Sequence, residues 1–100
     1  MKSLTDSYVL SNGVKIPCIG FGTWQTPEGD VAISSVRSAI QSGYRHIDTA
    51  AIYGNEEGVG QGIREGGVDR KELFITTKLW NADHSYKQVF KAFDDSLNKL

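Results

Sequence analysis

The chain has 100 residues, 39% of them hydrophobic and 23% charged, a balance typical of ordinary globular proteins that argues against disorder. Its 11 basic residues are offset by 12 acidic ones, so nothing in the charge pattern marks a nucleic-acid or anionic-membrane partner. The single cysteine, Cys18, has no partner for a disulfide within the chain and no metal-ligand cluster around it, and reads as a buried thiol in a reducing compartment.

The opening residues, Met1 to Leu10, carry no apolar leader core, and no window approaches the roughly 20 apolar residues that span a bilayer. A cytoplasmic protein is the expectation. Tyr8-Val9-Leu10, Ser11-Asn12-Gly13 and Val14-Lys15-Ile16 read as strand, turn and strand, since Asn-Gly adopts the positive φ of a tight turn. Pro17 limits further pairing, which gives a hairpin over 8–17. Cys18-Ile19-Gly20-Phe21-Gly22 is a short apolar run bounded by glycines and predicts the first strand of a sheet.

Thr26-Pro27-Glu28 predicts a helix start, because proline is favoured in the first turn. Ala32, Val36, Ala39 and Ile40 form its apolar stripe, and Gly43 ends it. His46-Ile47-Asp48 is the second strand, and Asn55 is placed to cap a second helix with Val59 and Ile63 on one face. Gly58, Gly60 and Gly62 depress the propensity of that helix and call for close packing. Asp69 and Glu72 have capping-box spacing, and Phe74-Ile75-Thr76-Thr77-Lys78 is a β-rich third strand. Ser85 then precedes a long amphipathic helix. Its apolar stripe is Tyr86, Val89, Phe90, Phe93, Leu97 and Leu100, opposite a solvated face with Lys87, Lys91, Asp94 and Asp95.

Strands alternating with helices imply right-handed crossovers and a parallel sheet, so the fold class is α/β. The pattern by itself leaves an open sheet and a closed barrel as alternatives.

The glycines suggest a dinucleotide fingerprint that the spacing excludes, because Gln25, Ile63 and Glu65 stand where a third glycine of G-x-G-x-x-G is needed. Asp48, Tyr53 and Lys78 instead fall at or just past the ends of consecutive strands, where parallel barrels assemble active sites from separate loops. Taken singly they read as a turn carboxylate, a packed aromatic and a solvated lysine. Together they fit one chemistry. Hydride transfer to a carbonyl leaves negative charge on oxygen, so the site needs a proton donor whose pKa lies below the ordinary tyrosine value of about 10. Tyr53 is the candidate acid, Lys78 the cation that lowers its pKa, and Asp48 the carboxylate that keeps Lys78 charged. His46 reads as a core residue, with no second metal-ligating side chain spaced with it, and His84 as a surface loop residue.

At these residues the sequence resembles the aldo-keto reductase family. Gly43-Tyr44-Arg45-His46-Ile47-Asp48-Thr49-Ala50, a five-residue gap, and Glu56-Glu57-Gly58-Val59-Gly60 are similar to its signature. Gly22-Thr23-Trp24 resembles the first cofactor loop, and Thr77-Lys78-Leu79-Trp80 the strand end that carries the family's lysine and a pocket aromatic. The wording as a whole is similar to the bacterial branch around 2,5-diketogluconate and methylglyoxal reductases.

This resemblance implies a (β/α)8 barrel that reduces aldehydes and ketones with NADPH. It also implies that Gly22, Thr23, Trp24 and Asp48 lie near the cofactor, and that Trp24, Tyr53 and Trp80 line the pocket for a small-molecule carbonyl substrate. The family's catalytic histidine lies on a fourth strand, which has no counterpart before Leu100, and a complete barrel takes about 250 residues. Residues 1–100 are therefore expected to be a partial barrel domain, a hairpin plus three βα units over 18–100, inactive alone. Two other readings are a non-catalytic nicotinamide-binding relative that serves as a regulatory or interaction subunit, and a short open α/β protein with no enzymatic role.

Overall fold

The computed structural model describes residues 3, 4, 6–79 and 86–100. Two short strands, β1 (Ser7–Val9) and β2 (Lys15–Pro17), pair antiparallel with Tyr8 opposite Ile16. Their turn uses both residues of Asn12-Gly13. Gly13 takes a φ of 85°, and the Asn12 side-chain oxygen accepts a hydrogen bond from the Val14 amide at 3.0 Å.

A second sheet holds β3 (Phe21–Gly22), β4 (His46–Asp48) and β5 (Phe74–Thr76), parallel and in that spatial order. Helix α1 (Asp30–Gln41) connects β3 to β4, and α2 (Glu56–Glu65) lies between β4 and β5. Helix α3 (Tyr86–Lys99) follows β5. Among the described residues the sheet is open, with three strands and no closure into a barrel.

The two-residue period of a strand decides what each face of this sheet does. Ile47 is fully buried and packs with Val36 and Ile40 of α1, Val59 and Ile63 of α2, and Leu73, with Phe21 and Ile75 beside them. On the opposite face His46 meets the Phe74 ring edge-on, and its Nε2 lies 2.9 Å from the Thr76 hydroxyl. The helices thus cover one face, and Asp48 belongs to the other.

The α2 glycines have a steric explanation. A Cβ at Gly62 would stand 2.8 Å from both the Ile33 carbonyl oxygen and the Val36 Cβ; one at Gly58 would strike Ala32 and the Glu28 carboxylate; one at Gly60 would strike the Lys99 carbonyl. Helix α2 is gripped by α1 on one side and by the end of α3 on another.

Five expectations are corrected. Helix α1 begins at Asp30 rather than at Thr26-Pro27-Glu28, because the Glu28 carboxylate turns away to accept hydrogen bonds from the Gly29 and Gly58 amides, and Gly29, at φ 91°, supplies the turn into the helix. Asn55 precedes α2 but forms no side-chain cap, since its side-chain oxygen, the atom that would accept from the helix, accepts from the Thr49 hydroxyl. Asp69 to Glu72 close a single 3-10 turn through backbone bonds, with no side-chain cap from Asp69. Cys18 is exposed, because it lies ahead of the short β3 in a bend on the uncovered face.

The fifth concerns α3. Its inward face is Val89, Ala92, Ser96 and Leu100, whereas Phe90, Phe93 and Leu97 are each about 60% exposed. Two contacts with α2 fix the end of this helix: the Ser96 hydroxyl donates to Glu56, and the Lys99 carbonyl lies where a Cβ at Gly60 would stand. Ser85, expected to cap this helix, and His84 lie outside the described residues.

Candidate active site

The ends of β4 and β5 and the segments just beyond them bring Asp48, Tyr53 and Lys78 together. Hydrogen bonding between the second and third strands continues past their assigned ends, from the Thr49 amide to the Thr76 carbonyl and from the Ala51 amide to the Lys78 carbonyl. That continuation carries Lys78 alongside Asp48 and Thr49. Tyr53 follows on a 3-10 turn (Ala51–Tyr53) that Gly54 closes in the left-handed conformation.

Lys78 is the centre of the arrangement. Its Nζ donates to Asp48 Oδ1 at 2.5 Å and to the Thr49 carbonyl at 2.8 Å, and lies 5.3 Å from the centroid of the Tyr53 ring. Partial burial, the largest single influence on this ammonium, favours its neutral form. The hydrogen bond and charge of Asp48, with a smaller contribution from the Tyr53 phenol, outweigh it, so the Lys78 pKa is raised above its ordinary value. The Lys78 and Asp48 side chains remain 47% and 39% exposed, open to a ligand from the uncovered face.

Beneath this cluster lies a buried polar frame. The Thr23 amide and hydroxyl both donate to the Asp48 carbonyl, at 3.0 and 3.1 Å. Asn55, fully buried, accepts from the Thr49 hydroxyl at 2.9 Å and donates to the Thr23 and Thr26 carbonyls at 2.8 and 3.1 Å. Glu56, at 3% exposure, accepts from the Thr77 hydroxyl at 2.6 Å and the Ser96 hydroxyl at 3.0 Å. These bonds satisfy groups that would otherwise be expensive to bury.

The residues singled out in the sequence thus fall in distinct places. Asp48, Tyr53 and Lys78 converge. Gly22 pairs with Asp48 across the sheet and borders open space, with no atom within 4 Å of where a Cβ would stand. The Thr23 side chain faces the frame, while Trp24 projects from the surface at 70% exposure. Trp80 lies outside the described residues. Sequence reasoning missed the frame formed by Thr49, Asn55, Glu56, Thr77 and Ser96. Asn55 was legible only as a cap, and Glu56 only as part of a signature.

Comparison with known proteins gives this geometry a family. Residues 18–100 match the model of the aldo/keto reductase family, and the chain belongs to that family. It is 54% identical over 98 residues to a glyoxal reductase of Bacillus subtilis (strain 168), an alignment covering 98% of this chain and 36% of the relative. An aldo/keto reductase from Brucella melitensis superposes with a TM-score of 0.89 at 52% identity, over 95% of this chain and 37% of that one. An aldo-keto reductase from Bombyx mori, crystallised in complex with NADP, superposes with a TM-score of 0.86 at 46% identity, over 98% of this chain and 35% of its own. The chain spans about a third of the length of the proteins it matches. Among the described residues, no helix is long and apolar enough to cross a membrane.

Proposed function

We propose that this chain forms the first three βα units of a (β/α)8 barrel whose complete protein reduces aldehydes or ketones to alcohols with NADPH. The observation that carries this reading is the placement of Lys78, held by Asp48 and set beside Tyr53 at the open end of three parallel strands. The Asp48 carboxylate and the Lys78 ammonium can hydrogen-bond ribose hydroxyl groups, the Tyr53 phenol can hydrogen-bond the substrate carbonyl, and the open space at Gly22 admits a flat ring close to backbone. The residues therefore fit a nicotinamide nucleotide. NADPH, when bound, supplies the hydride. As the carbonyl carbon accepts it, the carbonyl π electrons move to oxygen, which takes the proton of the Tyr53 hydroxyl and leaves an alcohol and a phenolate. Lys78 stabilises that phenolate through its charge, and Asp48 keeps Lys78 protonated against partial burial. Trp24 and Trp80 are assigned to the walls of the substrate pocket.

The test is NADPH oxidation by the full-length protein with a panel of aldehydes and ketones, compared with the Tyr53→Phe variant. Carbonyl-dependent turnover that collapses on removing the phenol supports the assignment. NADPH binding without turnover of any carbonyl would instead favour the non-catalytic reading.

A further inference from the structure

A strained turn lies beside the proposed site. Thr23-Trp24-Gln25-Thr26 is closed by a hydrogen bond from the Thr26 amide to the Thr23 carbonyl at 3.0 Å. Gln25, in its third position, has a φ of 62° and is the only non-glycine residue with positive φ among those described. Third-position backbones of this hand favour glycine or asparagine, and glutamine has no such preference. The turn is held from below. The Asn55 side-chain amide donates to the carbonyls of Thr23 and Thr26, the first and last residues of the turn, and its oxygen accepts from Thr49, the residue after Asp48. One fully buried side chain therefore ties the turn that presents Trp24 to the strand end that presents Asp48.

We propose that Asn55 is a positioning residue, which holds the Gln25 backbone in its left-handed conformation and so fixes Trp24 as a wall of the substrate pocket. The inference rests on the substrate-wall reading of Trp24 given above. Glycine occupies the left-handed region without penalty, whereas a β-branched residue resists it. Gln25→Val should therefore strain the turn from within, against the pull of Asn55, and Gln25→Gly should hold it with less help from Asn55.

The experiment uses the full-length protein. Steady-state kinetics are measured on Asn55→Ala, Gln25→Val, Gln25→Gly and the Asn55→Ala/Gln25→Gly pair. Fluorescence anisotropy decay is measured on the same set in a background where Trp80 and any tryptophan beyond residue 100 are replaced by phenylalanine, so that Trp24 is the sole emitter. Asn55→Ala and Gln25→Val should each raise KM about tenfold, in keeping with the bias against left-handed backbone at a side-chain-bearing residue, with kcat within about threefold. Each should also roughly double the amplitude of fast Trp24 motion, and Gln25→Gly should return both readouts toward wild type in the Asn55→Ala background. Should Asn55→Ala fail to fold, Asn55→Asp takes its place, since it keeps the acceptor for the Thr49 hydroxyl and removes the donors to the Thr23 and Thr26 carbonyls.

Unchanged KM or unchanged Trp24 motion in Gln25→Val overturns the proposal, as does an Asn55→Ala defect that Gln25→Gly leaves untouched. If wild-type protein turns over no carbonyl while Trp24 motion follows the expected pattern, the carbonyl-reductase reading and its substrate wall fail, and Asn55 is left as the residue that orders the turn.

Discussion

Lys78 and Asp48, thirty positions apart in the chain, meet at 2.5 Å because their strands are neighbours in register and the ladder between them runs on to the Lys78 carbonyl. The pair has a defined sign with respect to pH. A lysine whose pKa is raised on folding adds stability that is fully present below the unfolded lysine pKa of about 10.4 and is lost as pH rises through the higher folded value. Asp48→Asn removes the opposing charge and leaves partial burial dominant, so the Lys78 pKa should fall below its wild-type value. Titration of isotopically labelled lysine side chains checks this. A Lys78 midpoint equal in the two proteins would show that Asp48 does not hold the charge.

Tyr53→Phe should lower carbonyl reduction by about two orders of magnitude or more, the scale of a lost general acid, while the NADPH dissociation constant changes little. Single-turnover kinetics in the full-length protein, combined with an equilibrium binding measurement, separate the two effects. A comparable weakening of cofactor binding would mean that the phenol acts through the cofactor and not as proton donor.

Glu56→Ala should be destabilising, chiefly because it strands the buried Ser96 hydroxyl, whereas the exposed Thr77 can turn its hydroxyl to water. A loss of about 1–3 kcal/mol is the expected scale for buried partners left unpaired. Glu56→Gln keeps the shape, and both hydroxyls can reorient toward an amide, so its loss should be well below that of alanine. Denaturant unfolding of the two variants measures the difference.

Gly62→Ala distinguishes local propensity from packing. Helix propensity alone predicts a gain of about 1 kcal/mol for replacing a mid-helix glycine. The added methyl would stand 2.8 Å from the Ile33 carbonyl and the Val36 Cβ, so overpacking of about 1–3 kcal/mol should prevail and the variant should be less stable. A stabilised Gly62→Ala protein would mean that α1 and α2 can separate without penalty.

What could be read in the sequence is what short-range pattern determines. The alternation in His46-Ile47-Asp48 and in Phe74-Ile75-Thr76, and the Asn12-Gly13 turn, are local signals, and they locate the strand ends where Asp48 and Lys78 emerge. Asn55 shows where local signals stop. Asparagine before a helix is a good cap by propensity, yet Thr49 of its own connection and the carbonyls of Thr23 and Thr26 in the loop after β3 occupy its side chain, and nothing in the local sequence announces the last two. Helix α3 shows the same limit. Two neighbouring stripes compete to face inward, and the backbone contact that fixes the last turn, the Lys99 carbonyl against Gly60, comes from one of the three α2 glycines some forty residues earlier.

Those glycines bear on how the molecule assembles. A ten-residue helix with three glycines has little tendency to form alone, so α2 should stay largely uncoiled until α1 and α3 close around it. Its amide protons are then sentinels. In hydrogen exchange they should be released together with those of the surrounding core, in one cooperative opening, with no earlier local fraying of α2 by itself. The helix with the weakest intrinsic preference would thereby report when the framework under Asp48 and Lys78 is complete.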